Sequence, residues 1–184
     1  MKNAVPFYKR FIVVIFTWLC SIFSLNVYAQ VLKVGDVAPS FELVNQNGDK
    51  ISLTGLNGQW VVLYFYPKDD TPGCTTEACS FRDNINRLIA QNAKVIGVSL
   101  DSQKSHAGFA KKYSLPFDLL ADESGEVTKA YGSLLDLKVV KFAKRHSFII
   151  SPDGKISKIY RDVNPDEHVY EVMDTIKELQ SKAG

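Results

Sequence analysis

Cys74 and Cys79 stand out as the residues able to do covalent chemistry, because of what surrounds the first of them. Thr71-Pro72-Gly73 precedes Cys74, and Phe81, Ile85, Leu88 and Ile89 follow at spacings of three or four, the apolar stripe of a helix that runs to about Ala90. Cys74 is therefore expected at a helix N-terminus. There the backbone N–H groups lack intrahelical partners and the macrodipole is positive, which favours a thiolate over a thiol. A thiol with an ordinary pKa near 8.5 is only about 3% ionised at pH 7, so such an environment can raise the supply of nucleophile roughly thirtyfold. A small buried cysteine is the ordinary alternative. The coincidence of turn, helix start and second thiol argues against it.

Other ligating side chains do not join these two. His106, His146 and His168 lie far apart and show no metal spacing with the cysteines, so no metal site and no cofactor are expected. Four residues separate the thiols, which departs from the Cys-x-x-Cys of thiol-disulfide oxidoreductases. A structural disulfide between them would close too short a loop to stabilise much. An oxidoreductase of that kind and a secreted binding domain with one structural disulfide remain the alternatives to an enzyme built around Cys74.

The elements that must position the thiol can be read on either side of it. Trp60 to Tyr66 is a continuous apolar run, a strand buried on both faces, and Pro67 with Lys68-Asp69-Asp70 ends it. Before it, Phe41–Val44 and Lys50–Leu53 flank Asn45-Gln46-Asn47-Gly48, a small hairpin. After the helix come a buried strand from Lys94 to Leu100, a helix from Ser105 to Tyr113, a short strand at Leu119-Leu120 and a helix from Glu123 to Tyr131. A hairpin of Ser147–Ile150 and Ile156–Tyr160 about Pro152-Asp153-Gly154, then a helix from Glu167 to Lys182, complete the order. This alternation predicts an α/β sandwich with a mixed central sheet, parallel crossovers first and an antiparallel hairpin late.

Residues 1–29 contain no acidic residue, carry Lys2, Lys9 and Arg10, run apolar from Phe11 to Leu25 and end in Val27-Tyr28-Ala29. That is the grammar of a signal peptide cleaved after Ala29, so the expected organisation is a leader over 1–29 and a single domain over 30–184. The apolar run is short against the ~20 residues that span a bilayer, which leaves an uncleaved anchor as the lesser reading. Cys20 is read as part of this segment. Without the three leader cations the 22 basic residues fall to 19 against 20 acidic ones, a net charge of −1. A nearly neutral chain with no basic patch gives no reason to expect nucleic acid, and no later run is long enough for a membrane span.

Pro67-x-x-x-Thr71-x-x-Cys74 resembles the active-site motif of the peroxiredoxins. The wider Phe65-Tyr66-Pro67-Lys68-Asp69-Asp70-Thr71-Pro72-Gly73-Cys74-Thr75-Thr76-Glu77-Ala78-Cys79 is similar to the bacterioferritin-comigratory, or peroxiredoxin Q, branch. The resemblance extends from Gly35-Asp36-x-Ala38-Pro39-x-Phe41 to the C-terminal helix and is weakest between Gly132 and Lys144. It implies a thioredoxin-like three-layer sandwich and reduction of hydrogen peroxide or small organic hydroperoxides. Cys74 would become a sulfenic acid and Cys79 would condense with it to an intramolecular disulfide, which a thioredoxin-like or other dithiol protein then resets. Fast O–O cleavage needs the departing oxygen stabilised by fixed donors. The resemblance supplies Thr71, the backbone of Gly73 and Cys74, and Arg145, with Pro67 shaping the pocket and Glu77 holding the arginine. His146 lies outside the motif and is read as a strand-face residue. The expected protein is a monomer, exported to the periplasm or beyond.

Overall fold

The computed structural model describes residues 31–183. The signal-peptide reading of residues 1–29, its cleavage and the anchor alternative lie outside them. Nine strands and five α-helices follow in the order β1 (Glu42–Asn45), β2 (Lys50–Ser52), β3 (Trp60–Phe65), α1 (Pro72–Asp83), α2 (Ile85–Ala90), β4 (Ala93–Ser99), α3 (Gln103–Tyr113), β5 (Asp118–Ala121), α4 (Glu126–Ala130), β6 (Leu134–Asp136), β7 (Lys141–Ala143), β8 (His146–Ile150), β9 (Ile156–Tyr160) and α5 (His168–Ala183) among the described residues. A 3-10 turn, Leu53–Leu56, follows β2.

Seven strands form one sheet in the order β2-β1-β5-β4-β3-β8-β9, while β6 and β7 pair apart from it. β3, β4 and β5 run parallel and every other pair is antiparallel, so the sheet is mixed, with antiparallel hairpins at both edges. All six residues of β3 are buried. Side chains alternate across a strand. Val62 and Tyr64 accordingly join a core with Phe81 of α1, Leu88 of α2, Phe109 of α3 and Val172 and Ile176 of α5. Val61, Leu63 and Phe65 join a second core with Tyr131 after α4, Phe41 and Ala143. Because both faces are covered, β3 has no polar alternation in the sequence.

Three departures from the sequence reading have local causes. The helix expected to run unbroken to Ala90 is two helices, divided at Asn84. Asn84 takes φ −108° and ψ 8°, and its side-chain amide donates to the Ser80 carbonyl at 3.0 Å, the local competition through which asparagine interrupts helices. Ile89, counted in the apolar stripe, is exposed. Helix α4 begins at Glu126 rather than Glu123, because Gly125 sits at φ +75° and Asp122 takes the Thr128 N–H at 2.7 Å. The β6–β7 hairpin is absent from the sequence reading; strands of three residues, Leu-Leu-Asp and Lys-Phe-Ala, are too short to show a period.

Candidate active site

The site forms where β3 ends and α1 begins. Tyr66 N–H still bonds to Val98 O at 3.1 Å, and Pro67 then takes the chain off the sheet. Thr71 occupies the N-cap position in extended backbone, with Pro72 in the first turn. The first helical bond is Thr75 N–H to Thr71 O at 2.9 Å, so the N–H groups of Gly73 and Cys74 precede the helical ladder. Cys74 is 1% exposed. Arg145, from the β7–β8 connection, donates through Nη2 to Cys74 Sγ at 3.2 Å and through Nη1 to Glu77 Oε2. One guanidinium thus spans the thiol and a carboxyl three residues along the same helix. Gly73 lets it approach, since a Cβ there would lie 3.2 Å from Arg145 Nη2.

Electrostatics at this junction are set by burial. Glu77 is pushed up to about 7 by desolvation, and the attraction of Arg145 offsets only part of that. Its Oε1 is buried without a hydrogen-bond partner among the described residues, as is the Tyr64 hydroxyl. Burial first, then Glu77 and Cys74, hold Tyr64 well above its ordinary value, so it is a neutral phenol. Burial works against the Arg145 charge, but Glu77 and Cys74 outweigh it and raise Arg145 further. Behind the arginine, His168 donates or accepts through Nε2 with Ser147 Oγ at 2.9 Å. Burial, then the charge of Arg145, brings it down to about 4.

A stability prediction follows from Glu77. Its folded value lies above the 4.5 of a free carboxyl, so the stability it contributes is fully present below about pH 4.5 and is lost as pH rises through about 7. The difference is about 3 kcal/mol by the proton-linkage relation. His146 and His168, both near 4, run in the opposite sense and lose stability as pH falls below the ordinary histidine range. The comparison that isolates the carboxyl is wild type against Glu77→Gln. Chemical denaturation should show the variant gaining on wild type between pH 5 and pH 8, and an unchanged difference across that range would refute the assignment.

Of the residues expected in the site, Cys74, Gly73, Glu77 and Arg145 come together. Thr71 differs from expectation in its hydroxyl, which donates to Lys68 O at 2.9 Å and so offers acceptor rather than donor capacity to a ligand. Pro67 is half-buried at the end of β3. Cys79 lies on α1 with Cys74, but it is partly exposed where Cys74 is buried, and the two are free thiols. His146 faces the second layer from β8, with Nδ1 3.1 Å from Ser133 Oγ, and burial, then Arg161 and Lys144, brings it down to about 4.

Four groups near the site escaped the sequence reading. Asp69 is a buried anchor for the loop: its carboxylate accepts from Tyr66 Oη at 2.8 Å and Ser105 Oγ at 2.7 Å and pairs with His106 Nδ1 at 2.9 Å. Its N–H donates to Asp101 at 2.8 Å. Arg82, one turn beyond Cys79, donates to the Tyr113 carbonyl at 2.8 Å and fastens the end of α1 to α3. Tyr64 and His168 complete the buried surround. The available signal was Asp69 at the strand end opposite Ser105-His106 at a helix start; nothing in the sequence pairs the others.

The sequence matches the AhpC/TSA family over residues 34–159. A Coxiella burnetii relative named putative peroxiredoxin bcp is 45% identical over 146 residues, covering 77% of this chain and 97% of its own. This chain belongs to the AhpC/TSA family. It is a peroxiredoxin of the kind named Bcp or peroxiredoxin Q, and so a thiol-dependent peroxidase. Peroxiredoxin Bcp of Bacillus subtilis is 40% identical, with 82% of this chain and 99% of that one covered. The solved bacterioferritin comigratory protein of Xanthomonas campestris superposes with a TM-score of 0.73 at 32% identity, covering 80% of this chain and 97% of that one. The mixed sheet flanked by helices is therefore the thioredoxin-like peroxiredoxin fold.

The same relatives correct the expectation of an exported, periplasmic or secreted protein. The plant peroxiredoxin Q relatives are chloroplastic by name. The Coxiella burnetii and Bacillus subtilis peroxiredoxins are covered almost end to end by 77% and 82% of this chain, which leaves no length in them for a counterpart of residues 1–29. A basic, then apolar, then small-residue pattern is a local feature, and these relatives give no evidence of export to set beside it. Among the described residues no helix is long and apolar enough to cross a membrane.

Proposed function

We propose that this peroxiredoxin reduces hydrogen peroxide and small organic hydroperoxides with Cys74 as the peroxidatic and Cys79 as the resolving thiol. The Cys74 thiolate attacks the terminal peroxide oxygen, the O–O bond breaks, and an alcohol or water leaves a sulfenic acid behind. The Cys79 thiolate then attacks that sulfur, water departs, and a disulfide forms for a thioredoxin-like dithiol protein to reduce. The observation that carries this reading is the Arg145 guanidinium, 3.2 Å from Cys74 Sγ at the open first turn of α1. A fixed cation at that point stabilises both the attacking thiolate and charge developing on the peroxide. Gly73 and Cys74 supply backbone donors, Thr71 an acceptor for the peroxide proton, Pro67 a wall and Glu77 a brace for the arginine.

For the organic substrates, a groove of about 320 Å³ runs beside Pro67 and includes Leu100, Val140 and Phe142, which gives an apolar substituent a place to lie. The Xanthomonas campestris relative is described for alkyl peroxide reduction activity. Residues 30–184 act as a single domain and a monomer. Purified protein should turn over peroxide with a dithiol protein as donor and reduce insulin poorly; the reverse pattern would favour a thiol-disulfide oxidoreductase.

The resolving step sets a condition on α1. Five residues along an ideal helix rise ~7.5 Å and put the two Cα atoms roughly 8 to 9 Å apart, beyond the ~4.4 to 6.8 Å that a disulfide accepts. Both cysteines lie within α1, so the turn between them must open in each cycle. Amides of residues 74–82 should exchange with solvent much faster in the disulfide form than in the reduced form. Equal protection in the two states would exclude the Cys74–Cys79 disulfide.

A further inference from the structure

Peroxide cleavage leaves a charge that the residues named so far do not discharge. When the thiolate lone pair forms the S–O bond, the O–O electron pair departs on the distal oxygen as hydroxide or alkoxide, which needs a proton. Arg145 stabilises that oxygen but keeps its own protons. Thr71 has committed its hydroxyl proton to Lys68 O.

Glu77 is placed to supply it. Its side chain is 1% exposed, three residues beyond Cys74 on α1 and held by the same guanidinium that touches Cys74 Sγ. One carboxyl oxygen faces Arg145; the other, Oε1, is buried with no partner among the described residues. An unsatisfied polar atom in a closed site is costly, and its retention on a carboxyl that shares Arg145 with the reacting sulfur calls for a reason. The titratable groups of this network are Arg145 from the β7–β8 connection and Tyr64 from β3, which interact with Glu77, and Cys74 on its own helix and His168 of α5, which interact with Arg145. Tyr64 is held far above its working range and His168 at about 4, so neither exchanges protons near neutrality. Glu77, at about 7, is the member of this set that does.

We propose that Glu77 is the general acid of peroxide reduction, giving its carboxyl proton to the oxygen that leaves. This rests on Cys74 being the peroxidatic thiol. The products are Cys74 sulfenic acid, water or alcohol, and a Glu77 carboxylate paired with Arg145; solvent returns the proton when the turn opens for the disulfide. While it holds its proton, the carboxyl also adds no negative charge to the network around the thiolate.

The test separates leaving groups by their need for a proton. Hydroxide and tert-butoxide need one, whereas acetate leaving peracetic acid does not. Single-turnover oxidation of full-length protein by hydrogen peroxide, tert-butyl hydroperoxide and peracetic acid is compared in wild type and Glu77→Gln. The variant should lose about 10²-fold with the first two, the usual weight of a general acid, and stay within about threefold with the peracid. Its hydrogen peroxide rate should also lack the fall that wild type shows as pH rises through about 7. Equal losses with all three oxidants would make Glu77 only a brace for Arg145, and no loss with any would remove it from the reaction; either overturns the proposal. Should the Gln variant fail to fold, Glu77→Asp, with the carboxyl drawn back one methylene, is read by the same ratio of peroxide to peracid rates. Wild-type Cys74 that reacts quickly with none of the oxidants would instead sink the peroxidatic assignment.

Discussion

Cys74→Ser is expected to abolish peroxide turnover, with residual reduction at the level of the uncatalysed thiol reaction, while Cys79→Ser keeps the first oxidation at nearly the wild-type rate. The two thiols differ in surroundings, not in type. Cys74 is buried at the first turn of α1 with Arg145 Nη2 3.2 Å from its sulfur. Cys79 is partly exposed five residues on, and its neighbour Arg82, which interacts with it, also donates to Tyr113 O and Asp83. A hydroxyl in place of the Cys74 thiol is not ionised at neutral pH and cannot form a sulfenic acid. Cys79→Ser removes the partner for that acid, so the variant should accumulate sulfenic acid, move to sulfinic acid at high peroxide, and recycle poorly with a dithiol protein. Stopped-flow oxidation with equal rates in wild type and Cys74→Ser would overturn the assignment, and full recycling of Cys79→Ser would assign resolution elsewhere.

Arg145→Ala should slow oxidation of Cys74 by roughly 10²-fold or more, since loss of a donor aimed at developing charge costs about 3 kcal/mol. Removing the guanidinium also strips Glu77 of its only hydrogen-bond partner among the described residues, in a site where it is 1% exposed. Arg145→Lys should recover little, because one ammonium cannot reproduce the fork that reaches sulfur and carboxyl together. Thr71→Val is expected to cost less, because the native hydroxyl is turned to the Lys68 carbonyl. Unchanged peroxide kinetics in Arg145→Ala would remove the arginine from the mechanism.

How much of this could be read in advance depended on whether a residue's neighbours are close in sequence. Trp60 to Phe65 announced β3 because a strand covered on both faces needs no polar alternation, and Thr71-Pro72-Gly73 announced the start of α1 through local backbone preferences. The pairing of Cys74 with Arg145 spans 71 positions and was expected only because the surrounding motif resembles a known family. Nothing local distinguishes Arg145 from a surface arginine before a strand. The raised pKa of Glu77 was invisible for a related reason, since it comes from burial that only the folded chain provides. Asn84 was overlooked because the apolar spacing of Phe81, Ile85 and Leu88 persists through the break, and spacing alone does not register a side chain that bonds its own backbone.

The fastening of α1 at both ends bears on what limits the catalytic cycle in time. Asp69 bolts the loop before the helix to His106 and Ser105, and Arg82 ties the helix end to Tyr113, so the segment that opens between them is a short span between fixed posts. Such a span searches little space. Closing a loop of about ten residues takes on the order of 10 to 100 ns, and helix relaxation about 0.1 to 1 μs. Once the disulfide is reduced, the peroxidatic pocket should therefore be rebuilt long before another protein molecule can arrive by diffusion. The resting interval between turnovers belongs to the encounter with the dithiol donor, and the abundance of that donor, rather than any refolding of the enzyme, becomes the clock of the pathway.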